Sequence, residues 1–369
     1  MGIDGPEPND DLRDASGRLP AREGGLLQRL RRSYLALGEA RPGRVLVGFS
    51  GGADSLALLS LLVSLGRHEG FEVRAVHVDH GVRDESSSEA EAVRSVAGGL
   101  GVELEVRLVR VDSLARHAGV GREEAMRRER YRAFTETVAR VGAGCIALAH
   151  HQRDQAETVL LHLLRGSGIR GASGMRPVST LTVPWWDEPG TDAGGQALTV
   201  WRPLLGESAR EVRAYAESLG FPIVEDASND DVAYRRNAIR HEVLPVLEGV
   251  APGATLNLAR FAALAAVDSD ELDRQAESAV TEAGESASLD RRWLLGLSSS
   301  LRARVVRFWI ARHAPTGLEV SSNRIDDVLR VASSEDRPRV VEIGGGVAVR
   351  IARGVLTIRY GRESKRDDR

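Results

Sequence analysis

Apolar and polar residues follow a strand–helix–strand order over the first two thirds of the chain. Short apolar runs predict strands over residues 45–49, 73–78, 103–109 and 145–149. Longer segments with helical periodicity predict helices over 26–37, 56–66, 88–98, 122–141 and 155–164. This alternation predicts an α/β fold with a doubly wound, mostly parallel sheet, whose ligand crevice lies at the C-terminal ends of the strands.

The pattern changes twice further along the chain. Residues 166–203 are rich in Gly, Pro and Ser, which indicates a surface excursion, and we assign no role to the insert at 185–196. Helices are predicted over 209–219 and 237–247, then from 252 to 283, over 302–313 and over 323–331. Alternation over 340–360 around a Gly-Gly-Gly turn indicates strands. We therefore expect a helical linker region and a small α+β C-terminal domain.

Composition indicates an ordinary globular protein and excludes several other classes of protein. The 369 residues are 42% hydrophobic and 28% charged, with a net charge of −3. The single cysteine, Cys145, excludes a disulfide framework and a multi-cysteine metal site, and it fits a cytoplasmic protein. No segment reaches the apolar length that spans a bilayer, so no membrane partner is expected. Residues 1–24 and 362–369 are predicted to be disordered tails.

The segment Ser50-Gly51-Gly52-Ala53-Asp54-Ser55 joins the first predicted strand to a helix. Glycines at such a junction let the backbone approach a phosphate, and the helix start and the serines supply hydrogen-bond donors. A carboxylate beside phosphates repels them unless a cation lies between, so Asp54 indicates Mg²⁺. The alternative is a simple strand-to-helix turn in which Asp54 caps the helix.

Lysine is almost absent from the chain, which narrows the kind of phosphate site. Lys365 is the only lysine, so the loop is not a Walker-A loop, which needs a lysine on the β- and γ-phosphates. The phosphate charge must then be met by Mg²⁺, backbone N–H groups and arginine. Arginine is clustered at 127–132 and 235–240, and such local patches can hold a phosphate backbone despite the acidic total.

A second polar segment follows the fourth predicted strand and contains His150, Asp154 and Glu157. Their spacing places them on one helix face if the helix begins early enough. Asp54 and Asp154 could then hold Mg²⁺ on either side of a triphosphate while His150 bonds the reacting group. The alternative is a helix start with Asp154 as N-cap and Glu157 at N3.

Two further patterns suggest metals. His77, Asp79 and His80, together with the later His-His pair, resemble the ligands of a two-metal hydrolase, but a hydrolase has no need of a Gly-Gly phosphate cradle. Residues 226–231 resemble a calcium loop, but they lack its glycine and its final glutamate, so we reject that interpretation.

Taken together, these segments resemble the N-type ATP pyrophosphatases, a Rossmann-like family whose PP-loop matches 50–55. More narrowly, they resemble the tRNA(Ile)-lysidine synthases. The match comprises 50–55, 77–81, 127–131, 150–158, 164–168, 202–205, 225–229, 234–240 and 244–245. The resemblance implies a PP-loop catalytic domain over 25–248 and a tRNA- and substrate-binding domain over 249–361. The C-terminal likeness is weaker, and the insert at 185–196 departs from the pattern.

The resemblance also implies a reaction in two steps. ATP adenylates the C2 oxygen of the wobble cytidine in a tRNA(Ile) with a CAU anticodon and releases pyrophosphate. The ε-amine of free L-lysine then displaces AMP and forms lysidine. A homodimer is compatible with the sequence, which does not decide the oligomeric state.

Site roles follow from the same resemblance. ATP is expected at Ser50, Gly51, Gly52, Ala53, Asp54, Ser55 and Val78, with Mg²⁺ on Asp54 and Asp154. Arg130 and His150 would activate the cytidine, and Asp154 or Glu157 would serve as general base. The tRNA would meet Arg127, Arg130, Arg235, Arg236, Asn237 and Arg240.

Three alternatives remain beside the hydrolase. A tRNA thiolase of the same superfamily would use further cysteines, and an amidotransferase-coupled ligase would bring a glutaminase domain. A non-catalytic RNA-binding module would explain the arginines but would leave the loop and the His-rich segment without a role. Pyrophosphate release from ATP, measured with and without tRNA, separates these functions.

Overall fold

The structure is a computed structural model that describes residues 21–79, 86–109, 121–181, 197–224, 235–284, 286–314, 318, 320–334 and 338–360. Several predicted segments lie outside these residues: most of the N-terminal tail, the C-terminal tail, His80, Gly81, the insert at 185–196 and the segment 225–234. The first helix begins at Ala21, inside the predicted tail 1–24. The described residues up to 264 form one compact unit and those from 265 onward form a second. We keep the predicted domain limit between 248 and 249 as a proposal.

The first unit is built around a six-stranded sheet. Its strands are β1 (Arg44–Gly48), β2 (Glu72–Asp79), β3 (Leu104–Leu108), β4 (Cys145–Ala147), β5 (Val178–Leu181) and β6 (Leu198–Trp201). Their order is β3-β2-β1-β4-β6-β5, and every neighbouring pair is parallel except β5 with β6. Val45, Leu46 and Val47 of β1 are fully buried. A central strand covered on both faces is typical of a doubly wound sheet, so the predicted fold class is confirmed.

The helices of this unit precede and connect the strands. They are α1 (Ala21–Leu35), α2 (Ala53–Glu69), α3 (Ser86–Gly99), α4 (Arg122–Val141), α5 (Gln152–Leu164), α6 (Ile169–Ala172), α7 (Ala209–Ser218), α8 (Arg235–Ala238) and α9 (Leu244–Val250). The helix predicted over 237–247 is instead α8, a π-helical turn at Ile239–Val243 and α9. Apolar periodicity locates a helix but does not reveal a change in its hydrogen-bonding pattern.

The interpretation of 166–203 as a surface excursion is wrong for residues 178–181 and 198–201. β5 and β6 belong to the sheet, and Leu198, Val200 and Trp201 of β6 are almost completely buried. Each strand has only four residues among Gly, Pro and Ser, so its sequence signal is weak. β6 is buried because it pairs with β4, and its local sequence pattern does not indicate that pairing.

The second unit packs helices on a small antiparallel sheet. Helix α10 (Ala254–Glu282) leads into it, followed by β7 (Ser288–Asp290), α11 (Arg291–Gly296), α12 (Ser299–His313), α13 (Ser322–Ser333), β8 (Arg339–Gly344), β9 (Val347–Ala352) and β10 (Val355–Tyr360). The strand order is β7-β10-β9-β8. Its core includes Trp309, Val349 and Leu356. The predicted small α+β region is confirmed, although β7 and α11 were not predicted.

No described helix is by itself long and apolar enough to span a bilayer. One pair of helices, 235–250 with 254–282, has the length and composition of a span only when its two members are taken together, and they are bent by 97°.

Candidate active site

The loop after β1 is shaped by its own serines. Ser50 N–H donates to Ser55 Oγ at 3.2 Å, and Ser55 Oγ–H donates to the carbonyl of Gly52 at 2.9 Å. Helix α2 begins at Ala53 with Gly52 as N-cap, and no side chain caps its first turn. Among the described residues, the N–H groups of this first turn therefore have no capping side chain, which suits an incoming anion.

Gly51 is required by its backbone and by its neighbours. Its φ is +86°, and a Cβ placed there would lie 2.9 Å from Val224 Cγ2 and 3.0 Å from Val93 Cγ2. Val224 N–H also donates to the Gly51 carbonyl at 3.0 Å. Any side chain at this position would strain the loop and push these valines apart.

Asp54 does not cap the helix, so that alternative is wrong. The N-cap is Gly52, and Asp54 lies in the first turn of α2 with 42% of its side chain exposed. Its Oδ2 lies 3.3 Å from Nε2 of His151. A half-exposed carboxylate beside a phosphate-type loop remains available to a cation.

The ends of β1 and β2 are tied together. Phe49 N–H donates to the Val76 carbonyl at 2.9 Å, and Nδ1 of the buried His77 lies 3.0 Å from the Phe49 carbonyl. Val78 is half-buried near the end of β2, and its predicted contact with ATP stays a prediction. His77 is thus bonded to the backbone of the loop strand.

His151 links the two polar segments, and sequence reasoning missed it by choosing its neighbour His150. Helix α5 begins at Gln152 with His151 as N-cap and Asp154 at N3, so the predicted cap at Asp154 is wrong by one turn. His151 is 1% exposed; its Nε2 faces Asp54, and its Nδ1 lies 3.1 Å from Asp154 Oδ2. The signal available in the sequence was the capping-box spacing from His151 to Asp154.

Burial and charge act against each other at His151. Burial alone lowers the pKa of His151, but the hydrogen bond to Asp54 and the charge of Asp154 outweigh it, so the pKa is raised. His151 therefore favours a positive charge between two carboxylates, which couples the loop after β1 to the start of α5.

Asp154 and Glu157 are held by two arginines. Arg236 Nε donates to Glu157 Oε2 at 2.7 Å, and Arg240 Nε donates to Glu157 Oε1 at 2.7 Å. Their Nη2 atoms reach Asp154 Oδ1 at 3.0 Å and 3.3 Å. Glu157 is fully buried, so both of its oxygens are satisfied by charged donors.

The pKa of Asp154 is shifted strongly by this cluster. Burial raises the pKa of Asp154, but the charges of His151 and Arg236, aided by the His151 N–H bond at 3.0 Å, lower it to about 2.

The same cluster occupies Arg236 and Arg240, which were predicted to meet tRNA. Of the other residues predicted there, Arg235 is exposed and Asn237 is buried. Their contacts with tRNA stay predictions.

His150 lies before α5 and therefore does not share its helix face with Asp154 and Glu157. Burial lowers the pKa of His150 to about 3, and Arg202, Arg236 and Arg130 add to this effect while Asp154 opposes it. Its Nδ1 is buried without a hydrogen-bond partner among the described residues. His150 thus favours the neutral imidazole, and its Nδ1 has no partner within the described part of the chain.

Arg202 is a second site residue that the sequence analysis did not assign. It is 7% exposed, and its Nη1 donates to the Arg176 carbonyl at 3.0 Å and to Ser179 Oγ at 2.9 Å. It follows β6, whose place in the sheet was not predicted. Because β6 was not predicted, Arg202 was not assigned to the site.

Helix α4 adds arginines with different surroundings. The Arg127 guanidinium lies over the Tyr131 ring at 5.0 Å from the centroid, and Arg127 and Arg130 are both exposed residues. Arginine stacked on an aromatic ring presents a flat cationic face to a base or a phosphate. The predicted roles of Arg127 and Arg130 stay predictions.

Asp54 fits a Mg²⁺ ligand better than Asp154 does. Mg²⁺ takes one or two carboxylates and completes its octahedron with water and substrate phosphates. Asp54 is half-exposed beside the loop, while both oxygens of Asp154 are engaged. Over the described ranges, no group of three His, Cys, Asp or Glu side chains could hold a metal ion by itself, and the two-metal hydrolase is not favoured.

Family models match both parts of the chain. A model described as a PP-loop domain matches residues 26–247, and one described as the TilS substrate binding domain matches residues 289–357.

Curated relatives cover most of the chain. The tRNA(Ile)-lysidine synthase of Salinispora arenicola is 36% identical over 331 residues, which cover 89% of this chain and 94% of that protein. That of Geobacter sulfurreducens is 38% identical over 320 residues, or 84% of this chain and 64% of that protein. That of Xanthomonas axonopodis is 38% identical over 277 residues, 74% of this chain and 58% of that protein. The chain therefore spans less than two thirds of the last two.

A solved structure shares the fold. The U34-tRNA thiolase NcsA from Methanococcus maripaludis with its [4Fe-4S] cluster superposes with a TM-score of 0.50 at 16% identity, covering 68% of this chain and 82% of that chain. At this identity the likeness concerns the fold alone.

Proposed function

Because this chain belongs to the tRNA(Ile)-lysidine synthase family, we propose that it joins free L-lysine to C2 of the wobble cytidine of tRNA(Ile) with a CAU anticodon. The product is lysidine, and ATP is cleaved to AMP and pyrophosphate. The observation that carries the proposal is the 36% identity over 94% of the Salinispora relative. The His151 link between the phosphate-type loop and α5 supports it, because ATP and the second substrate must meet there.

The loop is suited to the first step. Backbone N–H groups of the α2 start and the Ser50 and Ser55 hydroxyls would hold the β- and γ-phosphates, which leave as pyrophosphate. Asp54 would hold Mg²⁺, which when bound neutralises charge on the phosphates. We keep Asp154 as a second metal ligand only as the sequence-based prediction, since its oxygens already have partners.

Arg130 and His150 are suited to binding and activating the cytidine. A guanidinium can stabilise charge that develops on the base and the α-phosphate. Neutral His150 can accept or donate one hydrogen bond through its unused Nδ1.

Asp154 and Glu157 are less suited than predicted to the role of general base. A general base works best with a pKa near the working pH, and the pKa of Asp154 is held at about 2. Their bonds to Arg236 and Arg240 support a positioning role better than proton abstraction.

A thiolase function is less well supported. Cys145, the single cysteine of the sequence, is buried in β4, and burial raises the pKa of its thiol to about 12. Sulfur transfer needs an accessible thiolate or a cluster ligand. The same cysteine supports a cytoplasmic location, and a homodimer stays a prediction.

The requirement for lysine tests the proposal. With ATP and tRNA but no lysine, we expect some pyrophosphate release and an adenylated tRNA; added lysine should discharge it to AMP. Labelled lysine should enter tRNA with a wobble cytidine and not the same tRNA carrying uridine there. Ornithine should react less well, because one methylene in a pocket contributes roughly 1–3 kcal/mol. Equal incorporation into both tRNAs, or into neither, would refute the assignment.

A further inference from the structure

The C-terminal end of α5 leads into a turn with an unusual charge pattern. We call residues 164–170 the basic turn; it contains Arg165 and Arg170. The sequence has 53 acidic residues in 369, about one in seven, yet none occurs from Thr158 to Leu181. A surface segment that carries arginine and no carboxylate favours contact with an anionic partner.

The basic turn projects from the unit. Leu164 is 75% exposed and Ile169 is 38% exposed, and both arginines are exposed. Neither Arg165 nor Arg170 forms an ion pair within the described residues. Many arginines elsewhere do, including Arg236 and Arg240 of the Asp154–Glu157 cluster.

Backbone and side-chain hydrogen bonds hold the basic turn in one shape. Gly166 N–H donates to the Leu163 carbonyl at 2.9 Å, and Ser167 N–H donates to the His162 carbonyl at 3.0 Å. His162 Nδ1 lies 2.6 Å from the Gly171 carbonyl. A surface that is ordered before binding loses little conformational entropy when a partner arrives.

The same helix carries the basic turn and the acidic pair. Glu157 and Arg165 are eight residues apart, which is about 12 Å along a helix axis. A substrate whose reacting base lies at the start of α5 would therefore have neighbouring backbone within reach of the turn.

We propose that the basic turn is a second contact for the tRNA substrate, in which Arg165 and Arg170 bind phosphates that flank the reacting nucleotide. This inference rests on the proposed function. Two of the arginines predicted to meet RNA, Arg236 and Arg240, are engaged by carboxylates, so fewer of the predicted contacts are free for phosphates and a further contact surface is favoured.

The test compares two double variants with equal loss of charge. In R165A/R170A both turn arginines are removed. In the control R210A/R213A two exposed arginines at the start of α7 are removed from the same unit. Binding of the tRNA(Ile) substrate is measured over a salt titration, together with ATP binding and thermal stability.

Each phosphate contact adds roughly 0.7–0.9 to the slope of log K against log salt. We expect R165A/R170A to lower that slope by about 1–2 and to weaken tRNA binding at least about tenfold at low salt, with ATP binding unchanged. The control should keep the wild-type slope. A wild-type slope in R165A/R170A, or an equal loss in the control, would overturn the inference. Wild-type lysine incorporation is assayed separately, so failure of the proposed function is distinguishable.

Discussion

At the scale of single residues, adjacent histidines have opposite electrostatic surroundings. His151 faces two carboxylates, and its pKa is raised despite its burial. Burial, aided by the charges of three arginines, lowers the pKa of His150 to about 3. One peptide unit before α5 thus separates a histidine that favours the charged form from one that is kept neutral. The two can serve different tasks at the same pH, because their environments move their pKa values apart.

Asp54→Asn is predicted to remove ATP-dependent adenylation and to leave tRNA binding largely intact. The amide cannot offer a metal the charge of a carboxylate, and it weakens the contact with His151. Pyrophosphate release at saturating Mg²⁺ and tRNA binding are measured side by side. Wild-type turnover in the variant would contradict the assigned role.

At the scale of elements, α5 and the segment formed by α8 and the π turn are joined by buried charge. Arg236 precedes the π turn, and Arg240 lies within it. Both bond to Glu157. π-helical turns are rare and often mark functional sites. Here the turn carries one of the two guanidinium groups that satisfy a carboxylate with no access to water.

Glu157→Gln is predicted to destabilise the fold by roughly 3 kcal/mol, because it leaves two guanidinium groups without their buried anion. Urea denaturation measures the free energy of unfolding. The matched control is Glu217→Gln, whose partner Arg213 lies at 2.9 Å in an exposed pair on α7. That change should cost less than about 1 kcal/mol. Similar losses in the two variants would show that the buried cluster adds no special stability.

At the scale of the whole molecule, each unit has its own hydrophobic core. The first contains β1, α2 and the residues around Trp201, and the second contains Trp309 and the inner face of the antiparallel sheet. The family models match within these same regions of the sequence. The polar cluster of Asp54, His151 and Asp154 lies entirely in the first unit.

Acid is predicted to destabilise the wild-type protein more steeply than His150→Gln. The pKa of His150 is about 3 in the folded state, against about 6.5 when unfolded. Between these values the unfolded chain binds the extra proton, so the free energy of unfolding falls as pH falls. Urea denaturation from pH 7 to pH 4.5 measures both slopes. Parallel curves would show that His150 is not buried in neutral form.

The arrangement of the sheet could be predicted because its signals are local. Buried-type runs and helical periods gave β1 to β4 and α2 to α5 to within a few residues, and Gly51 in the loop follows from chain geometry. Four-residue strands in a Gly- and Pro-rich segment carry too little pattern, so β5 and β6, and with them Arg202, were missed.

The sequence by itself determined the α/β order, the phosphate-type loop, the lack of a Walker lysine and the membership of Asp54, His150, Asp154 and Glu157 in one crevice, since motif spacing fixes which residues end parallel strands. Only the tertiary structure decided that His151 joins Asp54 to Asp154 and that Arg236 and Arg240 donate hydrogen bonds to Glu157. His151 and Asp154 are three residues apart, but the other pairings join residues about 80 to 100 positions apart. No local period encodes which of those charged side chains meet once the chain has folded.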